Sequence, residues 1–171
     1  MRHERLAVQR KRESMDTIMA AQENVALAWS LFDLGNNRQS DPAWLDKFMA
    51  AFAKDSEVID VPSGATLHGP DGHQRLAAFF AESFPDLRVE LTNAFATEDQ
   101  VTLECTWRWN DTGPLHLPSG DLPSMRRSGE LWCCSIFQIR NGKIVSVRQY
   151  YDMLTQMEQL GLVPAWGQAT E

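Results

Sequence analysis

Phe137-Gln-Ile-Arg-Asn-Gly-Lys-Ile-Val-Ser-Val-Arg-Gln-Tyr-Tyr-Asp152 carries the clearest local signal in this chain. Two apolar-rich runs flank Asn141-Gly142, and both of those residues tolerate φ > 0, so the segment predicts a β-hairpin. Two registers compete. A two-residue turn sets Arg140 opposite Lys143, two like charges. A three-residue loop with Gly142 left-handed sets Ile139 opposite Lys143 and Phe137 opposite Val145 instead, and the charges favour this second register. Period two then places Leu131, Cys133, Ser135, Phe137 and Ile139 on one face with Val145, Val147, Gln149 and Tyr151. Ser135 and Gln149 are embedded in a mostly apolar surface, the make-up of a small-molecule pocket wall.

Upstream of the hairpin, Met15 to Leu34 shows helical spacing in Ile18, Met19, Val25, Ala26, Leu31 and Phe32. Gly35-Asn-Asn-Arg-Gln-Ser40 breaks that helix. Asp41-Pro42 caps a second one, expected to run to about Ala53 with Trp44, Phe48 and Phe52 as its buried stripe. Glu57–Val61 reads as a short strand ended by Pro62-Ser63-Gly64. Gly69-Pro70-Asp71 opens a third helix carrying Leu76, Phe79 and Phe80. Strands follow at about Leu87–Ala96, Val101–Asn110, Ser128–Ile139 and Lys143–Asp152, with a long Pro- and Gly-containing loop from Thr112 to Met125. Met153 to Leu162 closes the pattern as a short helix. Helices followed by antiparallel strands predict an α+β fold, a curved sheet wrapped around three N-terminal helices as a cone.

Composition narrows the function classes. The chain has 171 residues, 43% hydrophobic content and a net charge of −7, which suits one globular domain and argues against non-specific nucleic-acid binding. Arg2, Arg5, Arg10, Lys11 and Arg12 make the first residues locally basic, read as a solvated helical extension. No apolar run is long enough to span a membrane, and Met1 to Met15 lacks a signal-peptide core, so the expected location is cytoplasmic. Three cysteines, Cys105, Cys133 and Cys134, sit in strand-like runs and read as reduced, packed thiols. No phosphate loop, HExxH, Gly-x-Ser-x-Gly or CxxC pattern occurs, and the four His form no metal-ligand spacing, so neither metal nor organic cofactor is expected.

The hairpin followed by Tyr151-Asp152, with Leu67-His-Gly-Pro-Asp-Gly72, Phe84-Pro-Asp-Leu-Arg-Val89 and Thr112-Gly-Pro-Leu115 in order before it, resembles the SnoaL-like polyketide cyclases of the nuclear transport factor 2-like superfamily. The resemblance covers roughly Val25 to Leu162. It implies the same cystatin-like cone and homodimers that meet sheet to sheet. In those cyclases an Asp on the last strand acts as general acid/base and a His on the preceding strand assists. The matching positions here are Gln149 and Ser135, neither of which titrates near neutral pH. Asp111 stands where a His commonly precedes Thr-Gly-Pro, and Val61 stands where related ketosteroid isomerases carry a base.

Asp60, set among Val58, Ile59 and Val61, is therefore the candidate acid/base, against a solvent-facing strand-end carboxylate as the other reading. Ser135, Gln149, Tyr151, Trp107, Trp109, Cys133, Phe137 and His68 are the candidate pocket residues, with core packing an equal reading for the two Trp and a loop position favoured for His68. Asp152 reads as a helix N-cap. The expected division is a basic extension at 1–14, a domain at 15–162 and a tail at 163–171. The outer sheet face, with Trp132, Ile136, Ile144 and Tyr150, is the expected homodimer contact. A cyclase- or isomerase-type enzyme and a non-catalytic binding or dimerisation module are both compatible with these residues.

Overall fold

The computed structural model describes residues 2–110, 112–117 and 120–164. Asp111 and the end of the expected tail lie outside them. Helix α1 (Arg2–Asn37) and helix α2 (Trp44–Ala50) precede strands β1 (Phe52–Asp60) and β2 (Ala65–His68). Helix α3 (Gly69–Ser83) leads to β3 (Arg88–Ala96) and β4 (Gln100–Asn110), then to a small hairpin, β5 (Leu115–Leu117) and β6 (Gly120–Leu122). Strands β7 (Ser128–Arg140) and β8 (Lys143–Tyr151) and helix α4 (Met153–Leu160) complete the chain. Six strands form one curved open sheet in the order β2-β1-β8-β7-β4-β3. The α+β cone expected from the sequence is thus the architecture observed. Its neighbouring strands run antiparallel except β1 and β8, which run parallel.

The core lies between the inner sheet face and helices α1 and α3. Leu103, Val101 and Phe137 from the strands are fully buried there, as is Ala28 from α1. Asn36, at the end of α1, receives the Val89 N–H and donates to the Val89 carbonyl, both at 2.8 Å, so its amide serves the edge strand β3 as an extra rung. The other end of α1 stands clear of the core, and Met15, Ile18 and Met19 are each more than half exposed.

Three local expectations change. The hairpin turns on two residues, with Asn141 at φ 53° and Gly142 at φ 68°, and Arg140 does face Lys143. The like charges are drawn apart: Arg140 reaches the Asp55 carboxylate at 2.9 Å, and the Lys143 ammonium donates to the Ala50 carbonyl. A bulge then follows, because Ile139 pairs with Ile144 while Gln138 pairs with Ser146, leaving Val145 as the extra residue. The bulge turns Ile144 inward, where it is fully buried, so Ile144 does not belong to the outer sheet face. Helix α2 also ends earlier than its aromatic spacing suggests. Ile144 donates its N–H to the Ala51 carbonyl and pairs with Phe52, which draws Phe52 into β1. Finally, the Thr112–Met125 stretch contains the β5–β6 hairpin.

His73 of α3 is fully buried against β1. Its spacing with Leu76, Ala77 and Phe80 puts it on the core-facing side of the helix. The ring meets Phe52 edge-on at 4.1 Å, its Nδ1 bonds the Gly69 carbonyl, and its Nε2 lies 3.2 Å from Ser56 Oγ. Burial holds its pKa below the ordinary histidine value, partly offset by the Gly69 bond. The folded state therefore resists a proton that the unfolded chain accepts. Stability is full above about pH 6.5, the unperturbed histidine value, and falls as pH drops toward the lower folded-state value. Urea midpoints at pH 7.5 and 5.5 should show this loss. His73→Gln should lower the midpoint at pH 7.5 and shrink its difference from the midpoint at pH 5.5.

Candidate functional site

Between the helices and the inner sheet face lies a cavity of about 90 Å³. That is well under the roughly 300–1,000 Å³ typical of drug-sized ligand pockets. Its wall is largely apolar and rich in aromatic rings. Phe32 and Phe80 meet Trp107 edge-on at 6.0 and 5.4 Å, and Phe32 meets Phe137 at 6.2 Å. These rings come from α1, α3, β4 and β7, so the cavity exists only once the sheet has closed over the helices. Gln149 of β8 brings an amide to this wall, and Asn36 and Arg38 line the end near the α1 terminus.

Strand register sets further polar groups beside Gln149, although Asp60, Ser135 and Tyr151 are not themselves among the residues that line the cavity. Asp60 on β1 pairs with Gln149 on β8, and Gln149 pairs with Ser135 on β7. Directly paired residues point to the same side of a sheet, so these three form one row on the inner face. The Asp60 Oδ1, Gln149 Nε2 and Ser135 Oγ atoms are all buried and have no hydrogen-bond partner. Buried polar atoms of folded proteins are nearly always partnered, so these three, adjacent on neighbouring strands, form a candidate ligand-facing row; Ser83 Oγ and the indole nitrogens of Trp107 and Trp109 are unpartnered as well. The other Asp60 oxygen, Oδ2, accepts from Ser63 Oγ at 2.6 Å and from the Tyr151 hydroxyl at 3.2 Å. Ser63 reaches back because Gly64, at φ 72°, turns the chain after β1. Burial first, and then the adjacent Asp60 carboxylate, push the Tyr151 hydroxyl well above its ordinary pKa, so it stays protonated as a donor to Asp60. The row thus offers one carboxylate oxygen already held by two hydroxyls, one that is buried and unpartnered, and a neutral amide beside it.

The remaining candidates are more scattered. Trp107 and Phe137 line the cavity. Trp109 does not: its ring packs on Phe84 at 5.8 Å and against Gly129, where any Cβ would fall inside the indole. Trp109 is a packing residue. Cys133 is buried opposite Tyr151 and beside Cys105, and burial pushes both thiols up to about 12. His68 is exposed, 3.7 Å from the Glu57 carboxylate, and stands away from the cavity. Asp152 caps α4, accepting from the Thr155 N–H at 3.1 Å. Arg38 was missed, because the helix-breaking run Gly35–Ser40 reads as loop and says nothing of where an arginine in it points. Among the described residues, no three His, Cys, Asp or Glu side chains converge as metal ligands.

A family model for SnoaL-like polyketide cyclases matches residues 35–160. Among solved structures, one from Jannaschia sp. CCS1 assigned to SnoaL-like polyketide cyclases superposes with a TM-score of 0.73 at 22% identity, covering 84% of this chain and 95% of that one. TsrD from Streptomyces laurentii gives 0.66 at 20% identity, over 83% and 97% of the two chains. An epoxide hydrolase from M. tuberculosis gives 0.62 at 16% identity, over 83% and 92%. No curated protein matches the chain. At these identities the structural neighbours establish the fold, and a cyclase and an epoxide hydrolase sharing it shows how little the fold fixes the chemistry.

An orphaned buried hydroxyl lowers stability, so Ser135→Ala should raise the free energy of unfolding by about 1 kcal/mol. Tyr151→Phe, which strips a donor from Asp60, should lower it by about 1.5 kcal/mol. Urea unfolding followed by tryptophan fluorescence reads both, and a Ser135→Ala protein less stable than wild type would show that the hydroxyl is partnered.

Proposed function

Because the chain belongs to the SnoaL-like polyketide cyclase family, we propose that it binds a small cyclic, carbonyl-bearing molecule in the aromatic cavity and acts on it by cofactor-free acid/base chemistry. The row Asp60–Gln149–Ser135 carries this reading. Asp60 Oδ1 takes a proton from the carbon next to the substrate carbonyl. The C–H electron pair becomes the C=C bond of an enolate, and the carbonyl oxygen takes the negative charge. Gln149 Nε2 donates a hydrogen bond to that oxygen, aided by the low polarity of the wall. The enolate carbon is then reprotonated by Asp60, or attacks a second carbonyl of the same molecule whose oxygen receives the Asp60 proton. Tyr151 and Ser63 hold the carboxylate in place, and Ser135 orients the Gln149 side of the ligand.

The second reading is a binding module without turnover. Gln149 and Ser135 favour it, since they occupy the positions where the family carries its titrating pair. Deuterium exchange at the methyl group of acetophenone, followed by proton NMR in D2O, separates the two. The enzyme reading expects exchange above buffer, lowered about 10²- to 10⁴-fold by Asp60→Asn. Binding without exchange supports the module and removes the role given to Asp60. Gln149→Asp combined with Ser135→His should raise exchange, and a wild type already as fast as that variant would mean that proton transfer runs elsewhere.

We also propose that two copies meet through their outer sheet faces. Trp132 is 81% exposed on this face, with Tyr150 and the half-buried Ile136 nearby. Register adds Phe95, which follows Thr102 and Ile136 across the sheet. Such aromatic patches are typical of interface cores. Trp132→Glu should convert the dimer to a monomer in light scattering. A monomeric wild type, or a variant that remains dimeric, rules this contact out.

A further inference from the structure

Among the described residues, one cation on the cavity wall, Arg38, has no carboxylate within ion-pair distance. Arg38 lies in the turn after α1, and its Nη1 donates to the Gly35 carbonyl and its Nη2 to the Phe84 carbonyl, each at 2.6 Å. Both acceptors are neutral. Among the described residues, Arg108 and Arg140 have carboxylates at 2.6–2.9 Å, whereas Arg38 forms no ion pair. Burial lowers the Arg38 pKa, a second guanidinium, Arg88, adds to the effect, and Asp86 offsets only part of it. Arginine keeps its proton in proteins, so the unfavourable charge remains in place. Two carbonyls leave part of the five-donor fork unused, and that fork fits a carboxylate bidentately.

The same cavity of about 90 Å³ that Arg38 lines is walled by Phe32, Phe80 and Trp107, apolar aromatic surfaces against which a single flat ring can pack. Gln149 lines it too. We propose that Arg38 is the specificity-determining residue of this cavity and selects a planar cyclic acid, a ring bearing a carboxylate in addition to the carbonyl that faces Gln149. This rests on the cavity being the ligand site. The carboxylate supplies the charge that Arg38 lacks, and the aromatic wall supplies the surface for the ring. A neutral ring of the same shape leaves Arg38 as it is and binds less well.

Benzoate and benzamide are nearly isosteric and differ in charge, so they isolate the effect. Titration by tryptophan fluorescence, at low salt, should give a benzoate Kd at least tenfold below that of benzamide. The ratio should fall toward one in 0.5 M NaCl, a readout on the unaltered protein. Arg38→Gln should also bring the ratio toward one, and Arg38→Lys should restore part of it. Equal affinities for the two probes, while acetophenone competes with both, would overturn the role of Arg38 and leave the cavity reading intact. Failure of benzoate, benzamide and acetophenone all to bind would overturn both.

Discussion

The position of β8 between two partners of opposite direction is the constraint on which the site depends. On one side β8 runs parallel to β1, and on the other it runs antiparallel to β7. Only this arrangement brings Asp60 and Ser135 to either side of Gln149. A slip of one residue in either ladder would turn one member of the row to the outer face. The bulge at Val145 sets that register. It lets a tight two-residue turn coexist with inward-facing Ile144, Val147 and Gln149, while the start of β8 meets Phe52 as β1 begins.

Much of the fold could be read from the sequence because its signals were local. Period two in Ser128–Ile139 sorted every residue of β7 correctly, since one of its faces is core and the other is not. Asp152 was legible as a cap because capping depends on neighbours three residues away. The errors came where a distant segment decided the outcome. Arg140 and Lys143 could face each other because Asp55 and the Ala50 carbonyl, far back in the chain, receive them. Phe52 left its helix because β8 claimed the Ala51 carbonyl. Ile144 lies on the face opposite to the one strict alternation predicts, because a bulge shifts the alternation by one and leaves no mark in composition.

The site was legible by halves for the same reason. Ser135 and Gln149 stand out as polar residues on an apolar face, a contrast visible in one hairpin. The Asp60–Tyr151 bond joins β1 to the last residue of β8 and needed the parallel pairing to be known. Trp107 and Trp109 are indistinguishable by period, yet one faces the cavity and the other is closed in by Gly129 and Phe84. What separates them is depth along the cone, and a pattern of alternation carries no depth.

The parallel pairing of β1 with β8 also bears on how the chain folds. Ser135 and Gln149 are 14 residues apart in sequence (149 − 135), whereas Asp60 and Gln149 are 89 apart (149 − 60). Closing the longer loop costs about 1.6 kcal/mol more chain entropy, by the logarithmic dependence on loop length. The β7–β8 hairpin is thus the local part of the row and the β1–β8 ladder its long-range part, the kind of contact that slows folding. The amide and the hydroxyl meet within one hairpin, while the carboxylate joins them only when the two ends of the domain come together. A chain lacking that last ladder would keep most of the sheet and the Ser135–Gln149 pair, but not the carboxylate that completes the row.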